Sequence, residues 1–507
     1  MSLLGIDIGT TGCKSVIFNH NGEILASEYM EYPLIHPFPG WNELDPNLVL
    51  YYVKETIKKA NQKVKKDRVS ALAISCQGEA IIPIDKEGNC LYNAIVTFDG
   101  RTKEQYEFWK ENLGSSAVFK ITGMQLNPMY SINKIMWLKK HRRDIFKSTY
   151  KFLCFEDFIH LKLGLPPSIS YSLAARTAAF DIVKKQWSDF ILREAKIDSA
   201  YLANPVEAAE IIGEVPKSVS EELGFTGNPK CAGGGHDQAC GAFGAGIVKE
   251  GLAMNAAGTS DVIIIVLDKP FLDDVKLTNN YPCAPYVIPN KYTILTFNLT
   301  GGLLLRWYRD TFCYEEKEMA KVNEKSVYRI IDGNIYGLPV NLFILPHFVG
   351  SGTPTLDADS RGIIIGLDLE TDKPRISRAV LESNAYDLLL NIETLENMGV
   401  SIEKIIAIGG GAKSNIWLQI KADITNKKII TLENSEAASL GAAMLAGIAI
   451  GEYKNHKDAI NTAVRFKNVI KPQKKFLKDY EKRYKVYKEI YTVNKELLHE
   501  ISKLNKN

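Results

Sequence analysis

Apolar residues along this chain alternate between short continuous runs flanked by turn residues and longer stretches in which they recur every three to four positions. The first pattern predicts strands and the second amphipathic helices. The opening reads strand, glycine turn, strand, turn, strand: Leu4–Ile8, Gly9-Thr10-Thr11-Gly12, Cys13–Asn19, His20-Asn21-Gly22 and Glu23–Glu31. This is an antiparallel meander. A similar arrangement returns near the middle, where Gly251–Ala257 and Asp261–Val266 flank Gly258-Thr259-Ser260. Such an internal echo predicts two domains built on one plan.

Between the meanders, helical and strand-like segments alternate: Leu48–Val64, Val69–Cys76, Thr102–Asn112 and Ile132–His141. The second half repeats the alternation with strand Ile405–Ile408, turn Gly409-Gly410-Gly411, a helix through Trp417, strand Ile429–Leu432 and an alanine-rich helix. The fold class is therefore α/β. At 507 residues the chain exceeds the ~250 to 300 residues at which single cores stop growing. We divide it into residues 1–245 and 246–507, with the glycine-rich stretch Gly241–Gly251 as the hinge.

Composition narrows the classes without naming one. Hydrophobic residues at 46% and charged residues at 24% are ordinary globular usage, and a net charge of +3 on dispersed lysines does not imply nucleic acid. The basic stretch Lys467–Lys488 carries Tyr480, Tyr484, Tyr487 and Tyr491 at helical spacing, which reads as a solvated amphipathic helix. Eight well-separated cysteines without Cys-x-x-Cys spacing fit a reduced, cytoplasmic compartment. Met1–Ile8, broken by Asp7, is not a signal peptide, and the uncharged run Ala437–Gly451 falls short of a membrane span and reads as a buried helix.

Three segments carry candidate chemistry. In Asp7-Ile8-Gly9-Thr10-Thr11-Gly12-Cys13-Lys14, small residues allow close backbone approach to phosphate, the threonines add hydroxyl donors and Lys14 adds charge. Asp7 suits a hydrated magnesium ion. The Walker A spacing is absent, and a plain hairpin turn is the competing reading. In Gly233-Gly234-Gly235-His236-Asp237-Gln238, Asp237 opens a helical run, either as an N-cap or as an isolated carboxylate available for proton transfer. Gly409–Asn415 would let a nucleotide lie against backbone, and it lacks the Gly-x-Gly-x-x-Gly spacing of a dinucleotide site. The order is phosphate turn, carboxylate, second phosphate turn at Gly258-Thr259, nucleotide loop.

In that order the chain resembles the FGGY carbohydrate kinases, the family of glycerol kinase, xylulokinase and gluconate kinase. The likeness runs from Leu4 to about Tyr491. Met129–His141 is similar to the family's first signature, with Ser131, Lys134 and Trp137 at the spacing of a packed helix entry. The second signature is similar from Gly362 through Gly366-Leu367 to Ala379–Glu382 and departs at Arg375. The resemblance implies two ribonuclease H-like, actin-like ATPase domains with a cleft between them, and ATP and Mg2+ as cofactors. It makes Asp237 the catalytic base and places Thr10, Thr11, Lys14, Gly258, Thr259, Gly302, Arg306, Gly411 and Asn415 around ATP, with Asp7 holding the metal through water.

On the substrate side it implies Gln77, Gly78, Glu79, Asp99, Met129, Asp237 and Gln238. Gln77-Gly78-Glu79-Ala80 resembles Gln-Arg-Glu-Thr of glycerol kinases and Gln-Met-His-Gly of xylulokinases, with Gly78 in place of arginine. Thr97 stands where both groups carry tryptophan, and Met129 where glycerol kinases have tyrosine. These losses suggest a wider pocket, suited to a pentulose or related ketose or polyol. Glu79 either accepts sugar hydroxyls or pairs with Arg101 or a lysine. The partners implied are a small sugar or polyol and neither nucleic acid nor membrane, with a homodimer left open. Alternatives are a gluconate or glycerol kinase, an actin-like ATPase without a sugar, and a sugar-responsive protein that has lost catalysis.

Overall fold

The computed structural model describes residues 1–64 and 67–504. Strands β1 (Ser2–Ile8), β2 (Gly12–Asn19) and β3 (Ile24–Glu31) form the expected meander. Helix α1 (Pro46–Lys63) follows, and its start is set by Asp45, whose side chain accepts the Asn47 and Leu48 N–H groups ahead of Pro46. Val49, Val53, Ile57 and Ala60 bury one face of it. Strand β4 (Val69–Cys76) then pairs parallel to β1. After helix α2 (Ser131–His141) come β5 (Ile211–Glu214), β6 (Lys230–His236) and helix α3 (Asp237–Gly244). The first sheet has the order β5-β6-β4-β1-β2-β3, with β6, β4 and β1 mutually parallel.

The second half contributes β7 (Gly251–Ala257), β8 (Asp261–Leu267), β9 (Cys283–Pro285), β10 (Tyr292–Asn298), α4 (Gly301–Phe312) and α5 (Lys373–Asn397). It closes with β11 (Ile402–Ile408), α6 (Asn415–Thr425), β12 (Lys428–Leu432), α7 (Ala437–Ala449), β13 (Phe466–Ile470) and α8 (Lys474–Leu504). Its sheet runs β9-β10-β8-β7-β11-β12-β13. An antiparallel meander, β7-β8-β10, again hands over to parallel strands at β11 and β12. The two sheets thus share one plan, as their matching strand–turn–strand sequences predicted.

The halves meet through α3 and α7. Leu440, Met444 and Leu445 of α7 are fully buried, each contributing about 1.5–3 kcal/mol, in a cluster that also holds Leu3 and Val16 of the first sheet. The close approaches fall at glycines: a Cβ on Gly441 of α7 would lie 2.0 Å from the Cys240 carbonyl oxygen of α3, and one on Gly5 of β1 would lie 1.8 Å from that of Ser439 of α7. Two sequence expectations shift accordingly. Gly241 and Gly244 lie inside α3, Gly244 at this packed crossing against Ala437 and Gly441, so only residues 245–250 remain as a connection. The basic stretch beginning at Lys467 starts in an edge strand, and Tyr480, Tyr484 and Tyr487 of α8 pack into the core around Tyr386 while the lysines face solvent.

Candidate active site

Three parallel strands end side by side, and their register aligns Asp7 with Ser75 and Ser75 with Gly235. The carboxyl ends of adjacent parallel strands are where open α/β sheets gather ligand-facing groups. Asp7 is held by the Ser75 hydroxyl at 2.7 Å. Burial pushes its carboxyl up to about 6, a rise that the Ser75 bond and Lys14 reduce and Glu436 reinforces. Beyond β1 the backbone turns sharply, with the Gly9 N–H donating to the Gly12 carbonyl at 2.9 Å. Tyr32 and Gln77 both donate to the Gly9 carbonyl, at 2.6 and 3.1 Å, and Thr10 donates to Gln77 Oε1 at 3.2 Å. Gln77 therefore braces the turn.

Asp237 is the first residue of α3, following His236 at the end of β6. It is not the N-cap, a position held by His236; its Oδ1 accepts the Gln238 N–H at 2.6 Å. The side chain keeps 29% of its surface open and lies 3.3 Å from His236 Nε2. Burial first, and then the Asp7 charge, push its carboxyl up to about 7. His236 is pushed down to about 3 by burial and by Arg176, so it is neutral beside the carboxylate at neutral pH. Two half-buried carboxyls, each raised by desolvation, form the centre of this half.

The adjoining wall is built from side-chain pairs. Glu79 has 3% of its side chain exposed and forms an ion pair with Arg176, while Thr97 donates to it at 2.9 Å. Burial alone would raise the Glu79 carboxyl, but Arg176, with Lys134 and the Thr97 hydrogen bond, outweighs it and holds it below the usual range. Arg101 is spent elsewhere: it pairs with Asp99 at 2.7 Å and Glu43 at 2.8 Å and lies 3.8 Å over the Trp41 ring. Asp99 also accepts the Asn42 N–H at 2.6 Å. A Cβ on Gly78 would meet His236 and Arg176 carbons at 3.0 and 3.2 Å. The room expected there is thus partly filled.

In the second half, backbone dominates. The Gly302 N–H at the start of α4 donates to the Gly258 carbonyl at 2.8 Å, and Leu303 N–H to that of Thr259 at 3.0 Å. A Cβ on Gly302 would lie 2.4 Å from the Gly258 oxygen, so this contact requires glycine. Parallel to β7, β11 leads into the loop 409–414, after which Ser414 caps α6 by accepting the Trp417 N–H at 3.2 Å. Asn415 and Arg306 are exposed. Between the halves, Ser172, Arg176 and His236 face Ile264, Thr293 and Leu295 across a small cavity. Lys14 reaches over to Glu436, just before α7, at 2.6 Å.

Residues 2–244 match the FGGY family of carbohydrate kinases, N-terminal domain, and residues 253–450 match the C-terminal domain of the same family. The chain belongs to the FGGY carbohydrate kinases. It is 30% identical to a xylulose kinase of Staphylococcus xylosus, over 94% of this chain and 97% of that one. It is 28% identical to a gluconokinase of Bacillus subtilis, over 91% and 90%. The fold is similar to the ligand-bound xylulose kinase of Lactobacillus acidophilus, with a TM-score of 0.88 at 26% identity, covering 97% of this chain and 98% of that one. The enzyme is thus a carbohydrate kinase with the actin-like ATPase fold that uses ATP. Its relatives act on different acceptors.

In this kinase the structure brings Asp7, Thr10, Gln77, Glu79, Asp237 and Gln238 to one end of the first sheet, and Gly258, Thr259 and Gly302 to one turn of the second. Met129 is half-buried against the core beside Tyr130, and Asp99 is committed to Arg101 and Asn42. Glu79 pairs with neither Arg101 nor a lysine side chain. Its partner, Arg176, was missed, although a lone arginine within the apolar run Leu173–Phe180 is the signature of a buried ion pair. Glu436 was missed too, because an acidic residue ahead of a helix reads as a cap. Arg375 is a surface residue paired with Asp372 at 2.8 Å.

Among the described residues, no group of three or more His, Cys, Asp or Glu could hold a metal ion. The Asp7–Asp237 arrangement does suit a divalent cation: each carboxyl is raised by burial and Asp237 further by Asp7, and a nearby positive charge would relieve both. Magnesium keeps much of its water and leans on substrate phosphates, which fits so sparse a donor set. No helix among the described residues is long and apolar enough to cross a membrane.

Proposed function

We propose that this kinase transfers the γ-phosphoryl group of ATP to a hydroxyl of a neutral pentulose or closely related ketose or polyol, in the cytoplasm. The observation that carries the reading is the charge of the acceptor wall. Glu79 is neutralised by Arg176, His236 is uncharged, and Asp237 and Asp7 add only negative charge. Such a wall suits hydroxyls, which both donate and accept, and it disfavours the carboxylate of an aldonate.

In the proposed mechanism Asp237 accepts the proton of the attacking hydroxyl. A carboxyl held near about 7 is matched to proton transfer at neutral pH. Gln77, Glu79, Gln238 and Met129 surround the sugar, with Gly78 giving way to His236 and Arg176 and Asp99 supporting the wall through Arg101. Thr10, Thr11 and Lys14 receive the transferring phosphate, Lys14 exchanging Glu436 for it. Gly258, Thr259, Gly302, Arg306, Gly411 and Asn415 line the nucleotide. Asp7 would hold Mg2+ through water, and the ion would supply charge neutralisation on the phosphates. Movement of residues 1–245 against 246–507 would exclude water around the acceptor.

A coupled ADP-release assay across pentuloses, hexuloses, aldonates and polyols tests the acceptor. The highest kcat/KM is expected for a neutral ketose or polyol, with aldonates at least ~10-fold lower on the basis of one unpaired buried charge. Preferred turnover of an aldonate would overturn the acceptor reading, and ADP release indifferent to every sugar would overturn the kinase mechanism.

A further inference from the structure

We propose that Lys134 and Ser131, at the start of α2, are positioning residues that clamp the backbone of Glu79 so that its carboxylate faces the acceptor. This rests on the reading above that Glu79 contacts the sugar.

Glu79 sits in the left-handed region, with φ +64°, in the chain that leaves β4. That conformation is strained for a non-glycine residue and persists where neighbours over-determine it. Here they do so at both ends. The Glu79 carbonyl accepts Lys134 Nζ at 2.7 Å and Ser131 Oγ at 3.0 Å, using both of its lone pairs. The carboxylate accepts Arg176 and Thr97. The same Thr97 hydroxyl lies 3.0 Å from the Gly78 carbonyl, so its one hydrogen is shared between the Glu79 carboxylate and the preceding peptide.

Lys134 has no exposed surface. Burying an ammonium group is expensive, and a Met or Leu would fill the same volume without that cost. The hydrogen bond that offsets part of it goes to a backbone carbonyl, and the carbonyl belongs to the one strained residue of the acceptor wall. Burial also pulls the Lys134 ammonium down to about 7, a decrease resisted chiefly by Glu79 and Asp99. The ammonium therefore supports the Glu79 charge as well as its backbone. Ser131 and Lys134 lie three residues apart, on one side of the first turn of α2, so both reach the same oxygen. Trp137, three residues beyond Lys134 and next to it along the same side of the helix, packs against Trp41 at 5.2 Å, which anchors the clamp to the Arg101 cluster.

The test is steady-state kinetics of Glu79→Gln, Lys134→Met, Ser131→Ala and the Glu79→Gln/Lys134→Met double variant, with melting temperature measured on each. The acceptor is the fastest neutral ketose or polyol of the ADP-release screen. Glu79→Gln and Lys134→Met are each expected to raise the sugar KM by ~10-fold, and Ser131→Ala by ~3-fold, with the KM for ATP unchanged; these are the effects of losing buried, charge-assisted or neutral hydrogen bonds. In the double variant, Lys134→Met should add less than ~2-fold, because its effect runs through Glu79. An unchanged sugar KM in Glu79→Gln would remove Glu79 from sugar recognition. A raised KM in Glu79→Gln beside unchanged values in Lys134→Met and Ser131→Ala would overturn the clamp alone. Effects that multiply in the double variant, or a lowered melting temperature with no change in sugar KM, would also overturn it. Should Lys134→Met fail to fold, Ser131→Ala carries the same comparison.

Discussion

The acceptor wall and the second-half turns hold their functional groups by opposite means. Around Glu79 and Asp237 the work is done by side chains: a buried ion pair, a strained backbone and carboxyls displaced from their ordinary range. Around Gly258, Gly302 and the 409–414 loop it is done by backbone N–H groups and close glycine contacts, with Asn415 and Arg306 left exposed. The first design is suited to fixing a small, directional ligand by charge and hydrogen bonding, as proposed for the acceptor. On the proposed reading the second would cradle phosphates and a flat base without demanding particular side chains. Changes of acceptor can therefore accumulate on one side of the cleft while the other keeps its geometry.

The contrast can be broken or sharpened by substitution. Arg176→Met should have the largest effect, because it leaves Glu79 buried without its partner. Loss of such a partner costs about 3–5 kcal/mol, or a fall of ~10²-fold or more in sugar kcat/KM with the KM for ATP unchanged. An equal loss on both substrates would erase the distinction between the two sides.

Next comes pH. Asp237 must be ionised to accept a proton, and its carboxyl holds that proton up to about 7, so activity is lost as pH falls through that value and regained above it. The acidic limb of kcat/KM should fall roughly tenfold per pH unit, whereas the KM for ATP stays level; a flat profile would detach the displaced carboxyl from the chemistry. Gly302→Ala should act on the other side only, raising the KM for ATP by ~10-fold through the clash with the Gly258 carbonyl while leaving the sugar KM alone. Smallest is Glu436→Gln, which frees Lys14 from a partly exposed pair worth roughly 1 kcal/mol or less and should lower the KM for ATP by ~2-fold to 5-fold.

Sequence reading served these two sides unequally. The glycine turns were legible because close backbone approach leaves a local signature, and the meanders because strand, turn and strand alternate in order. Asp237 was legible as a carboxylate opening a helix, although its position one residue inside the cap was not. Arg176 and Glu436 escaped because their partners lie 97 and 422 residues away in the chain, and long-range pairing leaves no periodic trace. The strained Glu79 escaped for a related reason: its left-handed backbone is imposed by Lys134 and Ser131 from another element, not by its own residue type. Gly78 read as open space when the room is taken by His236 and Arg176. What composition could not supply, in each case, was the identity of the neighbour.

The most direct test is Asp237→Asn, assayed for turnover with the fastest neutral acceptor alongside calorimetric binding of the same sugar. Loss of a general base predicts a kcat lowered by ~10²-fold or more with sugar affinity within a few-fold of the parent. Turnover equal to the parent enzyme would contradict the account.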